Sequence, residues 1–481
     1  MNKDNIYYEK MYTKFIEPLY GKKRDNHYDE IMLATNNYPH NYSIVNRTDL
    51  TNIETYSIDP DGCEDADDAF SIFYNENDQL VLIVHIADPT EYININSSLW
   101  DEIENNIVTS YPSNRKPIHM MPDEIMEKSS LMDNKYGCIK NAISIKTLID
   151  RNDYKPIGNI EILFSKIKLN VKNGFTYKEA SEKKDTIMTL KLGLLISKTL
   201  NNLRSEKTIG TQLSSMLTSN IRYIDDDIYL EYDTIDEKKM KNMIEEFAIF
   251  ANTFIGNYLK KHLDGVGIFR TCNAKDILEY DKIINPDDLL HNIIVNGIRA
   301  DYLETAESHD LVGSSEYTHF TSPIRRSSDC ISHYLIKYIY LRSNGITIDR
   351  PFDYNKLASL SNKCFIKTRD IKKVQYKDNK FRLIQVINNM LHKCNINNGI
   401  KIEFYITSYV SGFLNLIINK IDMFKVYLSY TLRTINYTFD NDNKKIYTLQ
   451  ITKVNCPKKF DEGSIPELDH FLFTYSQNNN K

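Results

Sequence analysis

Six carboxylates fall within ten consecutive positions: Asp59, Asp61, Glu64, Asp65, Asp67 and Asp68. Like charges at that density repel one another unless cations lie among them. β-Prone segments flank the run, Thr55 to Ile58 before it and Ala69 to Tyr74 after it, so it reads as a loop held between strands. Mg²⁺ is a hard cation bound through one or two carboxylates, with waters and phosphate oxygens completing its shell. Two such ions about 4 Å apart can activate a water and stabilise the leaving oxygen of a phosphodiester. Asp59 at one end of the loop and Asp65, Asp67 and Asp68 at the other could fold back on one another as ligands. A solvated acidic turn and a structural cluster paired with Arg or Lys are the competing readings. An EF-hand calcium loop is excluded, because its sixth and twelfth positions, counted from Asp59, hold Glu64 and Phe70 instead of Gly and Glu.

The spacing of Asp59, Asp65, Asp67 and Asp68, opened by Ile58-Asp-Pro60 and closed by Asp67-Asp-Ala69, resembles the signature of the RNB-type exoribonucleases. That family includes ribonuclease II, ribonuclease R and the catalytic subunit of the eukaryotic exosome. A second segment, Tyr317-Thr-His-Phe-Thr-Ser-Pro-Ile-Arg-Arg326 with Asp329 and His333 after it, is similar to the family's other diagnostic block, about 250 residues along.

The resemblance implies a metal-dependent 3′-to-5′ exoribonuclease that hydrolyses single-stranded RNA to nucleoside 5′-monophosphates. Its cofactor would be Mg²⁺, as a pair of ions, with Mn²⁺ able to substitute. Asp59, Asp65, Asp67 and Asp68 are then the metal ligands, and Asp67 and Arg325 the catalytic pair. Tyr111, Arg325 and Arg326 would contact RNA, Tyr111 by stacking on a base near the 3′ end, a contact that tolerates any sequence. Pro323 is expected in the first turn of a helix whose N-terminus favours phosphate. His319 reads either as a general acid or as a hydrogen-bonded structural residue, and Asp88 as a fifth ligand or a turn residue before Pro89. Arg115 is a further candidate for phosphate.

The chain departs from the family pattern in two places. Ser327-Ser328 stand where Tyr-Pro is usual, and Thr368 stands where the family has a glutamate near the leaving nucleotide. Before residue 47 there is no room for the usual pair of cold-shock domains. These departures keep open an alternative, a catalytically silent RNA-binding subunit or scaffold. They also suggest that a protein partner captures RNA.

The elements that must position these residues point to an α+β fold. An RNB catalytic domain with a mixed sheet and surrounding helices is expected over 47–393, after an N-terminal extension, 1–46. A small OB-like β-barrel that binds RNA is expected over 394–475, with a short tail, 476–481. Ala69 to Tyr74 and Leu80 to Ile86 read as a hairpin about Asn75 to Asp78. His85 sits inside the second of these strands and reads as core. Helices are expected over 97–110, 181–204, 236–262, 286–303 and 352–392, the third carrying Met240, Met243, Phe247 and Ile255 on one face. Its Glu245 and Glu246 read as residues that orient neighbours.

Length and composition agree with this plan. The 481 residues exceed one ordinary domain, and 41% hydrophobic residues allow a sizeable core. A net charge of -5 leaves RNA binding to a local basic surface. Seven scattered cysteines without CxxC spacing favour a reducing compartment and argue against zinc. No apolar leader or membrane-length stretch is evident, so a soluble cytoplasmic protein is expected. Heavy use of Asn, Ile, Lys and Tyr hints at an AT-rich genome, such as that of a large virus.

Overall fold

The computed structural model describes residues 27–112, 116–217, 219–224, 227–275, 286–393, 399–410, 413–433, 446–455 and 472–476. Arg115 and much of the N-terminal extension lie outside them, as does the tail 476–481 beyond Ser476. The acidic run is held as its flanks predict. Strand β2 (Ser57–Asp59) leads into it and β3 (Asp68–Tyr74) leads out. Strand β3 turns back through Asp78, at φ 59, into β4 (Leu80–Ala87), which is buried along its whole length.

The central sheet has the order β1-β6-β5-β4-β3. Within it β1 (Thr48–Asp49) runs parallel to β6 (Pro156–Lys168), while β6, β5 (Ile139–Ile149), β4 and β3 are mutually antiparallel. The sheet is therefore mixed, as expected. Strand β2 pairs instead with β7 (Gly174–Thr176), which sets Asp59 opposite Thr176. A large apolar core runs between this sheet and its helices.

Three helices matter for the site. The expected helix over 181–204 is two: α1 (Tyr177–Lys183) and α2 (Met188–Ser205). The first starts early because Thr176 caps it, with Glu179 closing a reciprocal capping box. Helix α3 (Ile235–His262) carries the expected buried face, with Met240, Met243, Phe247 and Ile255 inside. The helix expected over 286–303 ends earlier, at Val295, where Gly297 adopts φ 63. The chain then enters β11 (Asp301–Thr305), which pairs with β10 (Val266–Thr271). Helix α4 (Ser327–Ser343) is buried through its core and α5 (Tyr354–Lys393) is the long expected helix.

Five strands follow, β12 (Ile400–Val410), β13 (Phe413–Ile421), β14 (Phe424–Arg433), β15 (Ile446–Asn455) and β16 (Leu472–Ser476). They form an antiparallel sheet in the order β14-β13-β12-β15-β16. Among the described residues its two end strands do not pair, so the strands expected for a barrel stand as an open sheet. A second, smaller core joins this sheet to Leu383, Val386 and Ile387 of α5. Among the described residues no helix is long and apolar enough to cross a membrane.

Candidate active site

Asp59, Asp65, Asp67 and Asp68 all line one cavity of about 730 Å³. Asp61 and Glu64, the other acids of the run, are exposed to solvent. Backbone contacts explain the sorting. The Asp67 carbonyl accepts the Ala87 N–H at 2.8 Å, and the Ala66 carbonyl accepts that of Leu131 at 2.9 Å. These bonds pin the end of the loop to the sheet, so Asp67 is 5% exposed while the loop's crest remains in water.

The second motif closes over the first. The Asp67 carboxylate accepts the Ile324 N–H at 2.9 Å and the Arg325 Nε–H at 3.0 Å. Asp65 accepts the Tyr111 hydroxyl at 2.6 Å. Tyr111 is itself fixed from behind, since Thr109 N–H donates to the Arg325 carbonyl at 2.9 Å and Ser110 pairs with Ile118. These bonds hold four of the expected site residues, Asp65, Asp67, Tyr111 and Arg325, and Asp59, Asp68 and Arg326 line the same cavity.

The electrostatics are unbalanced. Burial, with the charges of Asp67 and Asp65, raises the Asp59 carboxyl to about 7. Burial and Asp59 raise Asp68 likewise to about 7. Asp67 also rises to about 7 through burial, even though Arg325 opposes the shift. One guanidinium does not neutralise four carboxylates. Among the described residues no three His, Cys, Asp or Glu side chains converge into a ready-made chelate; Asp65 and Asp67 are instead turned toward Tyr111 and Arg325.

The helix expected to begin at Pro323 begins at Ser327. The Ile324 N–H is taken by Asp67, and the Asp329 carboxylate accepts the Ser322 N–H at 2.8 Å. Residues 323–325 form a turn, and Arg326 bridges Val108. The Ser327 N–H donates to the Ile107 carbonyl at 2.7 Å, so this helix end does not offer that donor to phosphate. Arg326 grips Asp329 through Nε and Nη2 at 2.9 and 2.8 Å. Ser328 bonds Asp329 at 2.9 Å and lies 3.3 Å from the Tyr302 hydroxyl, which settles how this chain packs where Tyr-Pro is usual.

Several candidates resolve as structural. Asp88 is fully buried and paired with Arg47 at 2.6 Å and Lys337 at 2.9 Å. It is spent on that network and does not line the cavity, so it is not a fifth ligand there. His85 lies in the core between Ser71 and Ser144. His319 does line the cavity, but its Nδ1 meets the Tyr302 hydroxyl at 2.7 Å, and burial holds its pKa well below the usual value. A neutral, hydrogen-bonded imidazole fits the structural reading. Thr368 sits half-buried on α5 and brings no acid to the cavity.

Other cavity residues were missed by sequence reasoning. Tyr177, the first residue of α1, faces Asp59 and Asp68 and has its pKa raised by burial and by those two charges. Glu245 and Glu246 part company: Glu246 is buried against Arg204 at 2.6 Å, whereas Glu245 lines the cavity with Lys241. Arg270 and Lys372 also line the cavity. The segments Phe175-Thr-Tyr-Lys-Glu179 and Ile244 to Asn252, which hold Tyr177 and Glu245, also resemble the RNB family and could have marked them, whereas Arg270 gave no local signal.

Residues 47–342, more than half of the chain, match the RNB domain. The chain belongs to the RNB family. It is 28% identical over 344 residues to the exosome complex exonuclease RRP44 of Mus musculus, covering 60% of this chain and 34% of that protein. It is 27% identical over 401 residues to exoribonuclease 2 of Buchnera aphidicola, covering 73% of this chain and 60% of that protein. The chain therefore spans about a third to three fifths of these relatives. Its fold is that of Mycoplasma genitalium RNase R in complex with ribose-methylated single-stranded RNA, with a TM-score of 0.71 at 16% identity over 98% of this chain and 78% of that one. Yeast Ssd1, a pseudonuclease, also shares the fold, with a TM-score of 0.60 at 15% identity over 82% of this chain and 54% of that one.

Proposed function

We propose that this RNB protein is a divalent-metal-dependent 3′-to-5′ exoribonuclease acting on single-stranded RNA and releasing nucleoside 5′-monophosphates. The observation that carries the reading is the convergence of Asp59, Asp65, Asp67, Asp68 and Arg325 on one cavity. The donor set fits Mg²⁺ or Mn²⁺, because it is all hard carboxylate oxygen and is short of positive charge. Asp59 and Asp68 would hold one ion, and Asp65 and Asp67 a second ion or the terminal ribose. When bound, such ions supply an activated water and charge neutralisation at the phosphorus.

The chain's own residues do the rest. Arg325 has a side chain 44% exposed beside its bond to Asp67, so its free edge is available to phosphoryl oxygens that gain charge in the transition state. The Asp67 carboxylate holds that fork in place. Tyr111, 39% exposed at the cavity rim, presents a ring on which the terminal base can stack. Arg326 supports the turn through its ion pair with Asp329. The aligned relatives named as exonucleases support the reaction class and RNA as substrate; cytoplasmic action, and an RNA-capturing partner like the complex of which RRP44 is named a part, belong to the same reading.

The second reading, a silent RNA-binding scaffold, is favoured by one observation. Asp65 and Asp67 are both engaged by protein partners, and a pseudonuclease shares the fold. A time course on 5′-labelled single-stranded RNA with Mg²⁺, beside EDTA and Asp68→Asn controls, separates them. Metal-dependent collapse of the label to a short 5′ fragment, absent in the variant, supports the nuclease. RNA that is bound yet intact in every lane supports the scaffold.

A further inference from the structure

The cavity that the acidic loop lines is lined by basic side chains as well. It carries Arg270 from β10, Arg326 from the second motif and Lys372 from α5. Arg326 is neutralised by Asp329. Arg270 is not. That residue is 8% exposed, and its guanidinium carbon lies over the Tyr302 ring, 4.5 Å from the centroid. Among the described residues its side chain makes no hydrogen bond or ion pair.

The backbone aims Arg270 at the site. Its N–H donates to the Tyr317 carbonyl at 2.8 Å, where the second motif begins. Nearby carboxylates do not neutralise it. Asp310 accepts the Ala274 N–H and the Ser308 hydroxyl, and Asp301 forms no ion pair with it. Lys372 likewise has no carboxylate partner among the described residues. Burial and the charges of Arg270 and Arg326 lower the Lys372 ammonium below its usual value, which shows how closely the three cations crowd.

A buried guanidinium without a counter-ion is costly unless an anion arrives to meet it. Its planar fork suits phosphate oxygens, and Tyr302 behind it fixes the plane. The carboxylates and these cations line one cavity. One ligand meeting both groups carries a reactive phosphate and further phosphates beyond it.

We propose that Arg270, with Lys372 and Arg326 beside it, forms a subsite for a second phosphate of the RNA strand, upstream of the one that Arg325 faces. The polarity rests on the exonuclease reading, whereas the subsite itself does not require cleavage.

The test is binding of 5′-fluorescent single-stranded RNAs in EDTA, each with one neutral methylphosphonate at a successive linkage from the 3′ end. The wild-type protein should lose about 10-fold in affinity at one internal linkage. Arg270→Gln should bind unmodified RNA about 10-fold more weakly and lose the penalty at that linkage alone, with the salt slope reduced by about 0.7. Lys372→Gln, on an exposed helix position, should diminish the same penalty and guards against a folding defect in the first variant. Equal penalties at every linkage in the wild type, or an unchanged pattern in both variants, overturns the subsite. Cleavage with Mg²⁺ is scored separately: a linkage-specific penalty without cleavage sinks the nuclease and leaves the subsite standing.

Discussion

Asp67 and Arg325 lie 258 positions apart in the chain and meet at 3.0 Å through a carboxylate oxygen and Nε. The same carboxylate takes the Ile324 N–H, so one side chain clasps the two motifs together. Asp67 is 4% exposed at its side chain and Arg325 44%; the acid is the buried anchor and the arginine the reachable end. A group that both braces the fold and faces substrate should report on both when it is changed.

Asp67→Asn and Asp68→Asn should therefore differ in kind. The first keeps an oxygen for Ile324 but sets an amide against Arg325, and should lower stability by about 1–3 kcal/mol along with turnover. The second removes one member of a crowded set of like charges and breaks no side-chain hydrogen bond among the described residues. It should abolish turnover with an unchanged or raised Tm. Urea unfolding beside the RNA time course checks the pair, and equal destabilisation of both would refute the division of labour.

Cation binding should be visible without activity. Four carboxylates facing one guanidinium leave room for positive charge, and a ligand bound only by the native state stabilises it by RT ln(1 + [L]/Kd). Mg²⁺ or Mn²⁺ at 100 times its Kd should thus add about 2.7 kcal/mol. Thermal unfolding with EDTA, Mg²⁺ and Mn²⁺ measures this directly. Asp59→Asn with Asp68→Asn should remove the shift; a full shift in that double variant would place the ion elsewhere.

Much of this site was legible in the sequence because its chemistry is local. The acidic run and the Tyr317 to Arg326 block each carry their residue types at short spacing, and β-prone flanks located the strands on either side. What the sequence could not show was pairing across distance. A helix begun at Pro323 would need the Ser327 N–H on the Pro323 carbonyl, yet that N–H goes to the Ile107 carbonyl, so the helix starts at Ser327, and no local propensity contains that pairing. Asp88 reads as a fifth ligand or a turn residue, yet its partners Arg47 and Lys337 sit 41 and 249 positions away. Arg270 reaches the cavity only because β10 lies against the second motif. The barrel expected over 394–475 rests on a run of short strands at the place where the family carries an OB domain, which indicates strands but not closure.

Tyr111 offers a test that separates its ring from its hydroxyl. Tyr111→Phe keeps the stacking surface and frees Asp65, whereas Tyr111→Ala removes both. If stacking is the role, the phenylalanine variant should bind single-stranded RNA nearly as the wild type does, and the alanine variant should lose about 1–3 kcal/mol. Anisotropy titrations in EDTA read this without turnover. Equal loss in the two variants would assign the contribution to the Asp65 bond.

Stability should fall with acid through His40. Its Nε2 lies 3.1 Å from the Glu91 carbonyl, and its Nδ1 is 3.3 Å from the Tyr42 N–H. The Tyr42 bond requires Nδ1 to be an acceptor, so the neutral Nε2–H form fits and a second ring proton would oppose a backbone donor. Burial, with Lys337 close by, lowers this imidazole to about 4. The sign follows from linkage: between about 6.5 and 4 the unfolded chain takes up a proton that the native imidazole refuses, so stability drops as pH falls across that window. The His40 share should be about 2 kcal/mol between pH 7.5 and 5. His40→Asn, whose carbonyl can still accept from Tyr42, should be less stable at pH 7.5 by about 1 kcal/mol for the lost Glu91 contact. It should lose correspondingly less on acidification. Urea unfolding of both proteins at the two pH values decides it, and parallel losses would remove His40 as a source of the acid sensitivity.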